Sequence, residues 1–348
     1  MNKINKIKRI ISSLIILSIF SMHLISCSDN ISVKENSTNI IIDASNNKLS
    51  IKENASEITA ASVYAVAVPF FSALKMTDRV KAVNTKSKFW KDVDINLENA
   101  DTVGKGVVDL EKLAKINPTC LVHRSNDKST VDQVKKLGID VLCIKVENVD
   151  DIINTLNLMG KYFGAEENAK KTIEYIENKF EKIDNIVKNI PDDKRKTAIV
   201  MGGSLGRVAG IDMLQSFMIE KAGGICKVEE AKDHNWVDIG VEKIFMYNPD
   251  FIFLTSSTSL DYDVDEIYES ETWRAMNASI NKNIYNIPSK LDSWDMPGIS
   301  CVIGTMYMLY KMYPEYFSKE ELVEEINEYY TLMFDKTFDE KYLGYTLE

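Results

Sequence analysis

No stretch of this chain is long and apolar enough to cross a bilayer. The longest greasy run, Ile10 to Ile25, covers sixteen residues, short of the roughly 20 that a spanning helix needs. Cysteine is scarce as well. Five are spread over 348 residues, with no CxxC pair and no Cys/His cluster, so the spacing writes neither a zinc site nor a disulfide framework. Cys120 and Cys143 sit in apolar, strand-like runs, where a buried free thiol is the usual state. Histidine counts only three, and just His123 and His234 lie beyond residue 27. Holding bare Zn or Mn needs several imidazoles and carboxylates on one ion, which argues against that class. Positive charge is in deficit, with 42 Lys and Arg against 52 Asp and Glu for a net charge of −10. Such a balance argues against a nucleic-acid partner and against general binding to membrane surfaces.

What is present begins with an address. Lys3, Lys6, Lys8 and Arg9 precede the apolar run, which ends in Leu24-Ile25-Ser26-Cys27. A basic start, a short apolar core and a small residue before the cut predict an export signal over residues 1–27. The closing quartet resembles a bacterial lipobox, and the resemblance implies lipidation of Cys27 and a chain anchored on the extracytoplasmic side of the cell membrane. Residues 28–39 are rich in Ser, Asn and charge and read as a flexible tether. The remaining three hundred or so residues suit two lobes better than one core.

Along those residues, Asn39 to Ile51 reads as a hairpin by its alternation around Asn46-Asn47. Strands predicted near Ile58, Val80–Val83, Thr119–His123 and Val141–Ile144 then alternate with helices at Pro69–Leu74, Leu110–Ile116 and Thr130–Leu137. That rhythm predicts an α/β lobe with a mainly parallel sheet flanked by helices, over residues 40–161. From Ala165 to about Asn189 the pattern becomes one helix without Gly or Pro. Ile173, Ile176, Phe180, Ile183, Val187 and Ile190 recur on it at spacings of three and four. We read residues 162–191 as one long backbone helix joining the lobes. A second α/β series, from Thr197–Met201 to a helix at Lys319–Phe334, predicts another such lobe over residues 192–348, with a ligand cleft between the two.

An internal repeat supports the pairing. Leu110-Glu111-Lys112-Leu113-Ala114-Lys115-Ile116-Asn117-Pro118 precedes one strand, and Val241-Glu242-Lys243-Ile244-Phe245-Met246-Tyr247-Asn248-Pro249 precedes another. Each is a short helix with Glu near its positive end, where a carboxylate is favoured, stopped by Asn-Pro. These phrases, the opening hairpin, the lead Leu158-Met159-Gly160-Lys161 and the tail Leu309-Tyr310-Lys311-Met312-Tyr313-Pro314-Glu315 together resemble the substrate-binding proteins of ABC importers for iron–siderophore, haem and cobalamin. The resemblance covers about Asn39 to Phe334. It implies two similar lobes on one long helix and a ligand that is an iron or cobalt chelate rather than a resident cofactor. It also implies a monomer that hands its ligand to a permease dimer with its ATPase. In that family the Glu of each phrase meets Arg residues of the permease, which carries the docking role to Glu111 and Glu242.

In doubly wound folds, ligands gather beyond the carboxyl ends of the strands. Those loops hold Ser62, Tyr64, Phe89, Trp90, His123, Arg124 and Ser125 on the first lobe. On the second they hold Ser204, Arg207, Trp236, Ser256, Ser257, Ser293, Trp294 and Asp295. Aromatic faces suit a large flat chelate, and Arg124 or Arg207 suits an anionic one. The resemblance favours Trp236 and Trp294 most. His123 or Tyr64 would serve as an axial ligand only if the guest were haem. Ferric siderophore ranks first, before a corrinoid and haem. Two other readings stay open at this point. Ser204 within Gly202-Gly203-Ser204-Leu205-Gly206 superficially matches a nucleophile elbow, with His234 or His123 as partner, which would make a serine hydrolase. A signalling or adhesive surface lipoprotein could also use this scaffold.

Overall fold

The computed structural model describes residues 39–85, 93–288, 292–343 and 347. Strands β1 (Ile40–Ile42) and β2 (Lys48–Ser50) form the antiparallel hairpin. Its turn is organised by Asp43, whose carboxylate accepts from the backbone N–H of Ser45 and Asn47 and, at 2.9 Å, of Cys143. That last bond ties the hairpin to the first sheet.

The first sheet takes β3 (Ala60–Ser62), β4 (Val80–Val83), β5 (Asp101–Thr102), β6 (Cys120–Arg124) and β7 (Asp140–Ile144), in the order β5-β4-β3-β6-β7, all parallel. Parallel neighbours need crossovers. Helices α1 (Val68–Ala73), α2 (Ile95–Asn99), α3 (Leu110–Ile116) and α4 (Lys128–Lys136) supply them. Helix α5 (Val149–Phe163) follows, started by the Asn148 side chain and ended by Gly164 in the left-handed region, a common helix stop. The long helix α6 (Glu166–Val187) comes next. Its 22 residues span about 33 Å at 1.5 Å each. The sequence reading had missed α5, because its apolar pattern runs straight on into that of α6.

The second sheet contains β8 (Thr197–Met201), β9 (Arg207–Ala209), β10 (Ile225–Cys226), β11 (Trp236–Asp238), β12 (Phe251–Leu254) and β13 (Ile284–Asn286). Its order is β11-β9-β8-β12-β13, with β10 also paired to β8. Strands β8, β10, β12 and β13 are parallel, while β9 runs antiparallel to both β8 and β11. Around it lie α7 (Leu214–Lys221), α8 (Val241–Tyr247), α9 (Val264–Glu269), α10 (Asn277–Ile280), α11 (Cys301–Met312) and α12 (Lys319–Phe334). The fold class read from the sequence is the observed one: two mainly parallel sheets, each flanked by helices. The repeated phrase is a structural repeat too. Helices α3 and α8 both end on an Asn in the left-handed region, with φ of 49° at Asn117 and 42° at Asn248.

Central strands are buried on both sides, as parallel sheets require, and alternate residues feed different cores. Leu121 and Val141 join an apolar cluster on one face of the first sheet, and Ile252 and Leu254 one on the second. The opposite faces, with Cys120, Val122, Phe251 and Phe253, share a single continuous cluster with α6, α11 and α12. Helix α6 touches α1 and α5 of the first half and α7 and α11 of the second. Helix α12, last in sequence, packs against α1 as well as α11, so the terminal helix serves both halves. Charge reinforces the junction. Glu325 on α12 is nearly fully buried and bridges Lys179 at 2.7 Å and Lys182 at 2.6 Å on α6.

Cys120, Cys143 and Cys301 are buried free thiols and Cys226 is partly buried. Among the described residues, no helix is long and apolar enough to cross a membrane. Cys27 and the expected signal and tether lie outside the described residues.

Candidate functional site

The carboxyl ends of the first sheet's strands bring together Tyr64 after β3, Arg124 at the end of β6 and Glu147 just past β7. Tyr64 is half-buried, and burial pushes its phenol up to about 12, with nearby Arg124 lowering it and Glu147 raising it. At neutral pH Tyr64 is therefore a protonated donor, not a phenolate. Arg124 keeps a substantially exposed guanidinium, which reaches the Gly106 carbonyl at 3.4 Å and Asp127 at 3.7 Å. Glu147 is held by Lys145 at 2.9 Å. Across from it stands His234, whose Nε2 lies 3.9 Å from a Glu147 oxygen. The loops ahead of β11 and behind β7 thus meet. His234 is steered by Asp212, whose carboxylate accepts from the His234 backbone N–H and whose carbonyl lies 2.5 Å from Nδ1. Both Asp233 and His234 have positive φ, an uncommon conformation outside glycine, so the imidazole is displayed at the tip of a tight turn.

The second half builds its wall from three pieces. The turn Gly202–Gly206 joins β8 to β9, closed by bonds from Gly202 N–H to the Arg207 carbonyl and from Arg207 N–H to the Ser204 carbonyl. Trp236 at the start of β11 lies so close over Gly202 that a Cβ there would press into its indole, so the glycine makes room for the ring. Beyond β12, Ser256 and Ser257 are half-buried in a loop clamped by Asp295. The Asp295 carboxylate accepts from the Thr255 hydroxyl, from Ser256 N–H at 3.1 Å and from the Ser256 hydroxyl at 3.0 Å. Arg207 remains substantially exposed, with Nε 4.0 Å from Asp238.

Three expectations and one rival reading need correction. His123 is only 1% exposed. Its Nε2 is paired with Asp127 at 3.0 Å, and burial pulls its pKa down, so the ring is a core group and offers no axial position. Trp294 is completely buried, stacked edge-on against Tyr307 at 6.1 Å and backed by Gly304. Its role is packing beneath the loop rather than contact with a guest. Asp295, also completely buried, shapes the Ser256–Ser257 loop instead of reaching ligand. Finally, the glycine-rich turn around Ser204 connects two strands, whereas a nucleophile elbow needs strand-to-helix geometry. Neither histidine is set up as its base, since His123 is sealed in the core and His234 turns its Nε2 toward Glu147.

Trp90 and Phe89 lie outside the described residues. Sequence reasoning missed Glu147 as a site residue, and it considered His234 only as a catalytic base. The strand-end rule itself points to Glu147, two residues past Lys145. Glu111 and Glu242 are both exposed at the starts of α3 and α8. The loop before each of these helices reaches an arginine or its neighbour. The Gly106 carbonyl accepts from Arg124, and Ile239 and Gly240 N–H both donate to the Gly206 carbonyl, next to Arg207.

Two helix-flanked sheets on a shared helical spine, with strand-end loops meeting across the interval, define a two-lobed solute-binding protein. The chain belongs to the periplasmic binding protein family, whose model matches residues 61–291. The same architecture occurs in solved structures. A periplasmic solute binding protein from Veillonella parvula is 21% identical with a TM-score of 0.75, covering 88% of this chain and 96% of that one. The molybdate periplasmic binding protein MolA of Haemophilus influenzae, bound to molybdate, is 17% identical with a TM-score of 0.74 and coverages of 86% and 99%. The periplasmic haem binding protein HutB of Vibrio cholerae is 19% identical with a TM-score of 0.63 and coverages of 74% and 100%. At these identities the likeness is one of fold. The comparison with curated proteins found no match.

Proposed function

We propose that this chain is the extracytoplasmic solute receptor of an ABC importer for an iron chelate, with a ferric siderophore as its guest. It is anchored to the membrane through lipidated Cys27 and works as a monomer without a catalytic step. One observation carries the reading. Tyr64, Arg124 and Glu147 of the first half converge with His234 of the second, while Arg207, Trp236 and the Ser256–Ser257 loop line the neighbouring strand ends. Two exposed guanidinium groups, a neutral phenol donor and an indole face suit a bulky, anionic, partly aromatic guest. Bare divalent metal would ask instead for converging imidazoles and carboxylates. Haem is less favoured, because His123 is sealed in the core.

Delivery would use Glu111 and Glu242 as feet on the two permease subunits, upstream of the ATPase. Exposed ion pairs contribute only about 0–1 kcal/mol each, so their work is steering and register. Binding is tested by titrating the full chain with ferric catecholate and hydroxamate siderophores, cobalamin, haemin and molybdate, following tryptophan emission. Saturable quenching by a ferric siderophore is expected. Saturable binding confined to cobalamin, haemin or molybdate, or to none of the five, contradicts the assignment. Docking is tested by uptake: Glu111→Ala with Glu242→Ala should spare binding yet abolish transport.

A further inference from the structure

The two feet are built alike but present different chemistry. Helices α3 and α8 align residue for residue, Glu111 on Glu242 and Asn117 on Asn248, and both bury only the fourth residue after the N-cap, Leu113 and Ile244. Outward, they diverge. Helix α3 shows Ala114 and Lys115, and α8 shows Phe245 and Met246 at the same positions, 44% and 82% exposed. Phe245 and Met246 stand three and four residues after Glu242, so they share its helix face. The lysines differ as well. Lys112 remains well exposed with only Asp109 at 3.8 Å, whereas Lys243 is engaged by Glu230 and lies over the Tyr247 ring. One turn before each Glu the pattern reverses, with exposed Val107 before α3 and exposed Asp238 before α8. The α3 foot is therefore a carboxylate among two lysines. The α8 foot is a carboxylate backed by a second acid and flanked by an apolar pair.

From this we infer that Glu242, Phe245 and Met246 form one composite docking face for a permease subunit, and that the two feet are not interchangeable. The inference rests on the docking role proposed above for Glu242. Its content is that the α8 foot supplies the grip, seating Phe245 and Met246 in an apolar recess beside a basic group. The α3 foot, with its own lysines beside Glu111, supplies register. Large apolar side chains next to a charge are what concentrates energy at a protein interface. With Lys112 shared with Asp109 and Lys115 exposed beside it, Glu111 offers a basic partner less net attraction than Glu242 backed by Asp238. On a permease whose two subunits differ, the chain would then sit in one orientation of the two that its pseudo-symmetry allows.

The test places a photoreactive benzoylphenylalanine at position 246, 245, 242, 115 or 111 of the full lipid-anchored chain. Cells that make it are illuminated, and the adduct is identified by mass spectrometry. The inference predicts adducts with an ABC permease subunit from 245, 246 and 242. It also predicts that Glu242→Arg lowers the yield from 246 at least tenfold. In the unlabelled chain, Phe245→Ser with Met246→Ser should cut uptake at least tenfold, while Lys112→Ala with Lys115→Ala should change it less than threefold. Both residues are exposed, so retained binding of the quenching ligand serves as the folding control. Adducts from 246 with lipid, with a second copy of this chain, or with nothing overturn the composite face. If 242 and 111 still reach the permease in that case, the docking role of the glutamates survives alone. If no foot position reaches it, that role fails as well.

Discussion

Replacing Asp295 with alanine would remove the acceptor that fixes the Ser256–Ser257 loop at the end of β12. The carboxylate is completely buried and takes the Thr255 hydroxyl, the Ser256 N–H and the Ser256 hydroxyl. The Ser256 hydroxyl also lies 3.0 Å from the Pro288 carbonyl, and the Thr255 oxygen 2.8 Å from Ser257 Oγ. Those two hydroxyls have alternatives. The Ser256 N–H has none of comparable geometry and would be left unpaired, at about 1–3 kcal/mol, and the vacated volume adds to the loss. Against this, a buried carboxylate is itself unfavourable, and burial does push the Asp295 pKa up, so its removal relieves part of the loss. A net destabilisation of about 2–3 kcal/mol follows. Urea unfolding at pH 7, read by near-UV circular dichroism, measures it. Affinity for the quenching ligand should fall severalfold, because the Ser256 backbone that positions Ser257 would lose its anchor. A variant within about 0.5 kcal/mol of the parent, with unchanged affinity, would refute the clamp.

Four further outcomes are expected. Glu325→Ala should cost about 1–3 kcal/mol in thermal unfolding, since Lys179 keeps Glu328 at 2.6 Å but loses its buried carboxylate at the junction of α6 and α12; a loss below about 0.5 kcal/mol would show the network to be superficial. Gly304→Ala should cost about 1–3 kcal/mol by driving a methyl into the Trp294 carbonyl and Met218, visible as a lowered midpoint with altered tryptophan emission. Asp127 is held down to about 2, chiefly by its bond to His123, from an ordinary 3.8. A depressed carboxyl stabilises above its unfolded pKa and loses that contribution as pH falls through the folded value. About 1 kcal/mol, discounted for the partial exposure of this carboxylate, should therefore vanish between pH 4 and pH 2 in acid titrations, and Asp127→Asn should flatten that limb. Trp294→Ala should destabilise by about 3–5 kcal/mol as a core truncation, and ligand affinity should change only as far as the loop above it moves.

Much of this architecture is legible in the residues, because long-range order here follows from local period. The stripe from Ile173 to Ile183 gives α6. The strand–helix alternation gives the parallel sheets, and the duplicated Asn-Pro stops mark the paired helices α3 and α8. Some of the shortest elements escape such a reading. Strands β9 and β11 are each three residues long, too brief for alternation to register, and they exist through pairing with β8 and with each other. That omission turned the Ser204 turn into an apparent strand-to-helix loop. Side-chain direction escaped too. His123 lies in β6, where register points it inward, while Trp294 and Asp295 stand in the loop after β13 with their side chains packed beneath it. Glu147 and His234 met only when the two halves were brought together, which no local pattern encodes.

The central claim is that one guest is held jointly by both halves. A double-substitution cycle at the two exposed arginines tests it most directly, titrating the parent, Arg124→Ala, Arg207→Ala and the double variant with the ferric siderophore that quenches tryptophan emission. The account predicts that each single change weakens binding severalfold, and that the double variant loses at least tenfold. Binding that ignores one of the two arginines entirely, with the double variant matching the other single variant, would place the guest on one half alone and contradict it.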